Sequence, residues 1–476
     1  RGARPKITRN GQWVAATVQP KSLELENLER GADRPKAGMA LLATATGRTT
    51  NFDAVEQFEF SNDSKWLVYR SVADDKIKPD KKKKTIIGQG LTLRQLETGS
   101  ELTFNFVNDY AIDSLSRFLA YSVADPDKKH NGVYIVNLGG ALMPTKISDS
   151  SSVYFSELLW NNSKAILAFV AAKARKDDDA DTCSINLWNA NSQILQTIIK
   201  PTDAPADFFV PFKNHLQWTT DGERLYFGFK PAKDTALFEE KVTFADSTFY
   251  DENTILKKID GDVWHWNDPR IKTVQKVWWK QNKDRVFNSV YHLGLNKMVV
   301  LATNELPDLI PSENPNYALG YDDQPYMKDA TWDGDYQDIY AVSLMTGEKK
   351  VIKKHMDDNA YISPAGKYAV YFFEKNWYLY DFAQDTTTKL TEKTNAIFYD
   401  DESDVPNEPG SFGIAGWMEN DDAVIINSKY DLYKFYTGRS NSFVNITGGE
   451  GLAREVSFRV RKLDPEAVYF KKNETL

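Results

Sequence analysis

At 476 residues the chain has length for about three ordinary domains, unless a repeat absorbs it into a single ring. Its net charge of -8 gives no electrostatic footprint for nucleic acid or an anionic membrane. No apolar run approaches the roughly 18 residues that a transmembrane helix needs. The opening stretch from Arg1 to Asn10 is polar and begins without Met, as a processed chain would. A lone cysteine, Cys183, excludes an internal disulfide and a cysteine-based metal cluster.

One unit then recurs in chain order: an apolar strand, a polar turn, and a second alternating strand. It starts at Ile7–Val18 and returns at Phe60–Tyr69, Ile112–Tyr121, Leu159–Phe169, Leu216–Phe227, Tyr361–Tyr371 and Ile414–Ile426. Asn, Asp, Ser and Gly in the turns tolerate the dihedrals of a hairpin, and the alternation that follows marks a half-buried strand. A second hairpin trails most copies: Met39–Gly47, Leu91–Gly99, Val133–Gly140, Ile185–Asn189, Ile339–Gly347, Trp377–Asp381 and Leu432–Gly438. Two hairpins make four antiparallel strands, one blade of a β-propeller.

Spacing supports the repeat. The first-hairpin turns centre on Gly11, Ser64, Ser116, Ser163, Gly222, Gly366 and Asp421, with successive gaps of 53, 52, 47, 59, 144 and 55 residues. The gap of 144 holds two units, with Tyr317–Tyr321 as the inner strand of a degenerate sixth. The expected fold class is therefore all-β, a single β-propeller over 1–476 of about eight four-stranded blades, with seven or nine left open. Segment 454–476 repeats a first hairpin without a second. It reads as a strand closing the ring against the first blade, or as the start of a truncated blade.

Interruptions are few. Asp74 to Lys84 and Asp177 to Asp181 are charge runs that read as solvated hairpin tips. The largest insertion, at about 231–285, carries Glu239-Glu240, the segment Asp262–Arg270 with Trp264, His265, Trp266 and Asp268, and the pair Trp278-Trp279. Loops seldom expose large apolar side chains, so these aromatics either anchor the insertion or meet a substrate or neighbouring domain. In an extended segment Trp264 and Trp266 would share one face and His265 would oppose it.

Catalytic patterns are missing. Gly-x-Ser-x-Gly does not occur, and Gly438–Ser442 comes nearest. His130, His215, His265, His292 and His355 are scattered, so no metal and no cofactor is expected. The adjacent acids Asp322-Asp323 and Asp401-Glu402 point to opposite sides of a strand and cannot share one site.

The repeated hairpin and its Leu-Tyr…Thr-Gly partner resemble the propeller of prolyl oligopeptidase-family serine peptidases. Asp262–Arg270 and Val456–Glu466 look similar to segments of the large exported members found in Bacteroidetes. The resemblance covers essentially the whole chain and implies a propeller lying over an α/β-hydrolase domain, restricting peptide access to a Ser-Asp-His triad. The hydrolase domain is missing here, so no catalytic residue carries over. Relatives of the dipeptidyl-peptidase type hold the substrate amino group with paired glutamates, which Glu239 and Glu240 match only as two letters. The implied partners are a peptide substrate and the missing hydrolase domain, and the implied location is periplasmic or cell-surface. The alternative is a partner-binding propeller that never had an enzyme attached. Oligomeric state is not legible.

Overall fold

The computed structural model describes residues 2–22, 25, 35–73, 86–148, 152–173, 183–232, 266–438, 442–464 and 467–472. The chain resolves into two compact units, Arg1–Phe238 with His292–Asn296, and Glu239–Tyr291 with Lys297–Leu476.

The first unit begins with β1–β4 (Gly2–Ile7, Trp13–Val18, Gly38–Ala43, Thr49–Phe52), an antiparallel sheet in sequence order. Next come β5–β7 (Val55–Phe60, Trp66–Ser71, Gln89–Gln95), β8 (Glu101–Ile112) and β9–β11 (Phe118–Val123, Gly132–Asn137, Thr145–Lys146). These seven strands form one ladder, yet β8 serves two blades. Its first part pairs with β7, its second part with β9, and Phe106 between them turns the backbone at φ 56°. The β12–β15 sheet follows (Ser152–Trp160, Ile166–Lys173, Cys183–Asn189, Ile194–Ile199). Then β16 (Phe208–Phe209) and β17 (Gln217–Trp218) both pair with β18 (Arg224–Pro231).

The second unit holds β19 (Phe287–His292) apart from its last residue, and β20 (Lys297–Val300). It continues with the sheets β21–β24 (Asp308–Ile310, Tyr317–Asp322, Gln337–Ser343, Lys349–Met356), β25–β28 (Tyr361–Ile362, Tyr368–Phe373, Asn376–Asp381, Thr386–Lys389) and β29–β32 (Ile414–Trp417, Ala423–Asn427, Leu432–Tyr436, Phe443–Asn445). The fold is all-β and its sheets are propeller blades. The β21–β24 sheet corrects the expectation of a degenerate copy, because it has all four strands.

The core explains why second strands such as Trp66–Ser71 and Tyr368–Phe373 are apolar almost throughout. Strand residues alternate faces, and here both faces are covered by another sheet. Leu67 packs with Ala15, Met39 and Leu41 of the preceding sheet, while Trp66 and Val68 pack with Leu119 and Tyr121 of the following one. In the second unit Ala369 and Tyr371 meet Leu319 and Ile339, whereas Val370 and Phe372 meet Val424 and Ile426. In the last sheet, Ile425 and Leu432 on the far face pack with Phe458 and Phe470 of the C-terminal segment. Residues 455–460, expected as a strand, form none; Phe458 N donates to Tyr430 O at 2.7 Å, and Phe470 makes a parallel bridge to Met418.

Turns between first and second strands stitch consecutive sheets together. Asn10 N donates to Ser64 Oγ at 3.3 Å, Asp63 N to Ser116 Oγ at 3.1 Å, and Asn161 Nδ2 to Gly222 O at 2.8 Å. Ser363 Oγ donates to the buried Asp421 carboxylate at 2.6 Å. These bonds join residues 53 to 61 apart in sequence, the period of the repeat itself.

Candidate functional site: the loop end of the β21–β24 sheet

Loop length is distributed unevenly. Turns from first to second strand have five residues in every sheet, except for six at 311–316. Connections from second to third strand occur at the opposite end and run from two residues at 374–375 to 55 at 232–286. One end is thus built for packing and the other for variation, the usual arrangement where loops carry function on a rigid scaffold.

The best described part of the variable end lies in the second unit, where residues 266–286 meet the connection 323–336. Helix α1 (Lys272–Asn282) occupies part of the insertion that the sequence reading left as loop. Lys272, Lys276, Lys280 and Lys283 fall on one helical stripe, with Val274, Val277 and Trp278 on another. None of its residues is buried. Arginines flank the helix at both ends: Arg270 pairs with Asp323, and Arg285 Nη1 with Asp308 Oδ1 at 3.3 Å. The Arg285 guanidinium also lies over the rings of Trp278, 5.4 Å from its centroid, and Phe287, at 5.0 Å.

Beside it the connection 323–336 folds onto a buried carboxylate. Tyr326 donates its hydroxyl to Asp338 Oδ1 at 2.6 Å, and His355 N donates to the same oxygen at 3.0 Å. The His355 ring stacks on Tyr336 with centroids 4.0 Å apart, and Tyr326 meets it edge-on at 4.9 Å. Burial, then the bond to Asp338, pushes the Tyr326 hydroxyl up to about 12, so it remains a protonated donor at neutral pH. Burial likewise raises the Asp322 carboxyl, whose Oδ1 accepts from Gln324 N at 3.0 Å. Of the two adjacent acid pairs, Asp322 and Asp323 take different partners, Asp322 capping its own turn and Asp323 pairing with Arg270; Asp401 and Glu402 correct the expectation, because both reach Lys429 Nζ, at 2.8 and 2.9 Å.

Of the residues singled out from sequence, Glu239, Glu240, Trp264 and His265 lie outside the described residues, as do both charge runs. Trp266 is 87% exposed, with Lys328 Nζ 5.9 Å from its ring centroid, and the Lys328 ammonium also bonds Asn267. Asp268 pairs with Lys272 at 3.7 Å. Sequence reading missed Arg270, Arg285, Tyr326, Tyr336, Asp338 and His355, because they converge from four separated segments. Among the described residues no group of three or more His, Cys, Asp or Glu could hold a metal ion, and no helix is long and apolar enough to cross a membrane. The cluster offers aromatic faces and charged groups for contact.

No family model matches the sequence, and no curated protein matches it. Among solved structures, one from a study of two prolyl endopeptidases is 11% identical, covering 80% of this chain and 47% of that one at a TM-score of 0.35. The chain thus spans about half the length of that endopeptidase. The β-propeller domain of the trilobed protease from Pyrococcus furiosus is 11% identical over 75% of this chain and 99% of that one, TM-score 0.30. A eukaryotic initiation factor is 10% identical over 94% and 88%, TM-score 0.40. Likeness of this degree says nothing about activity, and the fold rests on the sheets themselves.

Proposed function

We propose that the chain is the non-catalytic, substrate-gating propeller of an exported serine peptidase of the prolyl oligopeptidase family. The observation that carries this reading is the concentration of long connections at one end of the sheets, where a gating domain would meet its catalytic partner and incoming peptide. The resemblance of the repeated hairpins and of Asp262–Arg270 supplies the family. In this reading the sheets of both units belong to one propeller of eight blades, with β16–β20 as the fifth, and segment 454–476 completes the ring. Trp266 and Asp268, with Trp264, His265, Glu239 and Glu240, contribute to substrate or interdomain contact.

The chain alone is then inactive. It should neither hydrolyse peptides nor label with serine-directed phosphonates, since its sequence has no Gly-x-Ser-x-Gly nucleophile elbow to expose and activate a serine. Stoichiometric labelling of any serine would refute this. The gene around the coding segment provides the second test: a Gly-x-Ser-x-Gly motif with a later His in the same open frame is expected. A frame without them leaves a partner-binding propeller, the reading that the exposed aromatics also suit. Cell fractionation tests the exported location.

A further inference from the structure

The far face of the β29–β32 sheet presents a second feature, distinct from the loop end. Within the second unit, side chains of residues 456–464 and 467–472 lie against it and cover it incompletely. A cavity of about 450 Å³ remains between the two, within the size range of small-molecule sites. Its floor is apolar: Ile425, Leu432 and Phe470 are each at most 6% exposed, with Phe458 and Val460 as a wall. The rim is cationic, formed by Lys434, Arg459, Arg461, Lys471 and Lys472, and among the described residues no acidic side chain lines the cavity. In a chain of net charge -8 this is a local inversion.

Lys434, Arg459 and Arg461 make no ion pair with any described residue. The Arg459 guanidinium donates to the carbonyls of Phe458 at 2.7 Å and Lys429 at 3.4 Å, and lies over the Phe412 ring at 5.3 Å. These contacts fix its position without neutralising its charge. A guanidinium so placed favours a carboxylate, through short charge-assisted hydrogen bonds. Ile425 and Leu432 of the floor come from a sheet face, whose ladder consumes the strand N–H and C=O groups. It suits an aliphatic chain better than a peptide backbone that needs partners of its own.

We propose that this groove binds an alkyl carboxylate, with its chain on Ile425, Leu432 and Phe470 and its head group at Arg459 and Arg461. The site goes beyond the gating reading and does not depend on it. Calorimetric titration of the full chain with decanoate, below its micellar concentration, tests the proposal. Saturable one-to-one binding is expected, with no saturable binding of acetate or decyltrimethylammonium. Arg459→Gln should weaken decanoate binding about tenfold or more, the loss of one charge-assisted contact. Lys434→Gln, on the sheet rather than the tail, should weaken it several-fold, so that a tail disturbed by the first variant cannot mimic the result. Equal binding of all three amphiphile types, no binding of decanoate, or unchanged binding by both variants would overturn the proposal.

Discussion

At the fourth position of six of the seven five-residue turns the backbone enters the left-handed region, at Gly11, Ser64, Ser116, Gly222, Gly366 and Asp421; the turn at 161–165 is the exception. Those six positions are turn centres visible in the sequence, since Gly, Ser and Asp tolerate such dihedrals. Two of the glycines have a further constraint. A Cβ on Gly366 would lie 2.1 Å from Asn314 Oδ1, and one on Gly222 would lie 2.1 Å from Ser163 Oγ. Gly366→Ala should therefore cost roughly 1–3 kcal/mol in urea unfolding, combining dihedral strain with a clash across two sheets. Gly410→Ala, where nothing lies within 4 Å, should leave the midpoint unchanged. Asp431 makes a pH-dependent contribution. Burial pushes its carboxyl up, but donors from Thr447 Oγ1 at 2.6 Å, Gly451 N at 3.0 Å and Leu452 N at 3.2 Å outweigh this and hold it below the ordinary range. A carboxyl with a depressed folded pKa stabilises the fold above its unfolded value, roughly 3.9, and loses that contribution as pH falls through the folded value. Asp431→Asn should thus lower stability most at neutral pH, by about 1–3 kcal/mol, with the difference from the parent shrinking toward pH 3. A gap independent of pH would contradict this.

Individual elements show why some of the architecture escaped the sequence. The turn at 311–316 has two prolines, no glycine and one residue more than its counterparts. The hairpin of β21 and β22 therefore did not match the repeat, although Asn314 caps it by accepting from Tyr317 N at 2.8 Å. Helix α1 was hidden differently. Its lysine and valine stripes have helical spacing, but they lie among tryptophans, in a long insertion between strands whose composition resembles an aromatic loop. Residues 455–460 alternate like a strand, yet their apolar side chains cover a sheet face instead of joining a ladder. The pairing that anchors α1 was not legible at all, because Arg270 and Arg285 find their acids across 53 and 23 residues of sequence. Partly exposed ion pairs contribute little to global stability, about 0–1 kcal/mol. Their effect should be local: Arg270→Ala with Arg285→Ala should speed amide exchange over 272–282 while shifting the urea midpoint only slightly. Unchanged exchange there would mean that the rest of the insertion, not the arginines, holds the helix.

For the whole molecule the open question is whether the two compact units unfold together. Consecutive sheets within each unit share apolar cores and turn-to-turn hydrogen bonds, so a disturbance at one sheet passes to the next. The first unit also reclaims His292–Asn296 from deep inside the sequence of the second, so neither is a continuous stretch of chain. Interleaved connectivity of this kind favours joint folding, as the single-propeller reading requires. The C-terminal segment offers a probe at one defined place. Ending the chain after Thr447 removes Gly451 N and Leu452 N from Asp431, and removes Phe458, Val460 and Phe470 from Ile425 and Leu432. Exposing that face and leaving a buried carboxylate short of donors should cost roughly 2–5 kcal/mol. Ending after Glu455 keeps helix α2 (Glu450–Arg454) and the Asp431 donors, so it should cost less. Calorimetry then separates two outcomes. One propeller would give a single transition, lowered by both truncations and more by the longer deletion. Independent units would give two transitions, with the one belonging to residues 1–238 unmoved by either truncation, and the single-ring reading would fall.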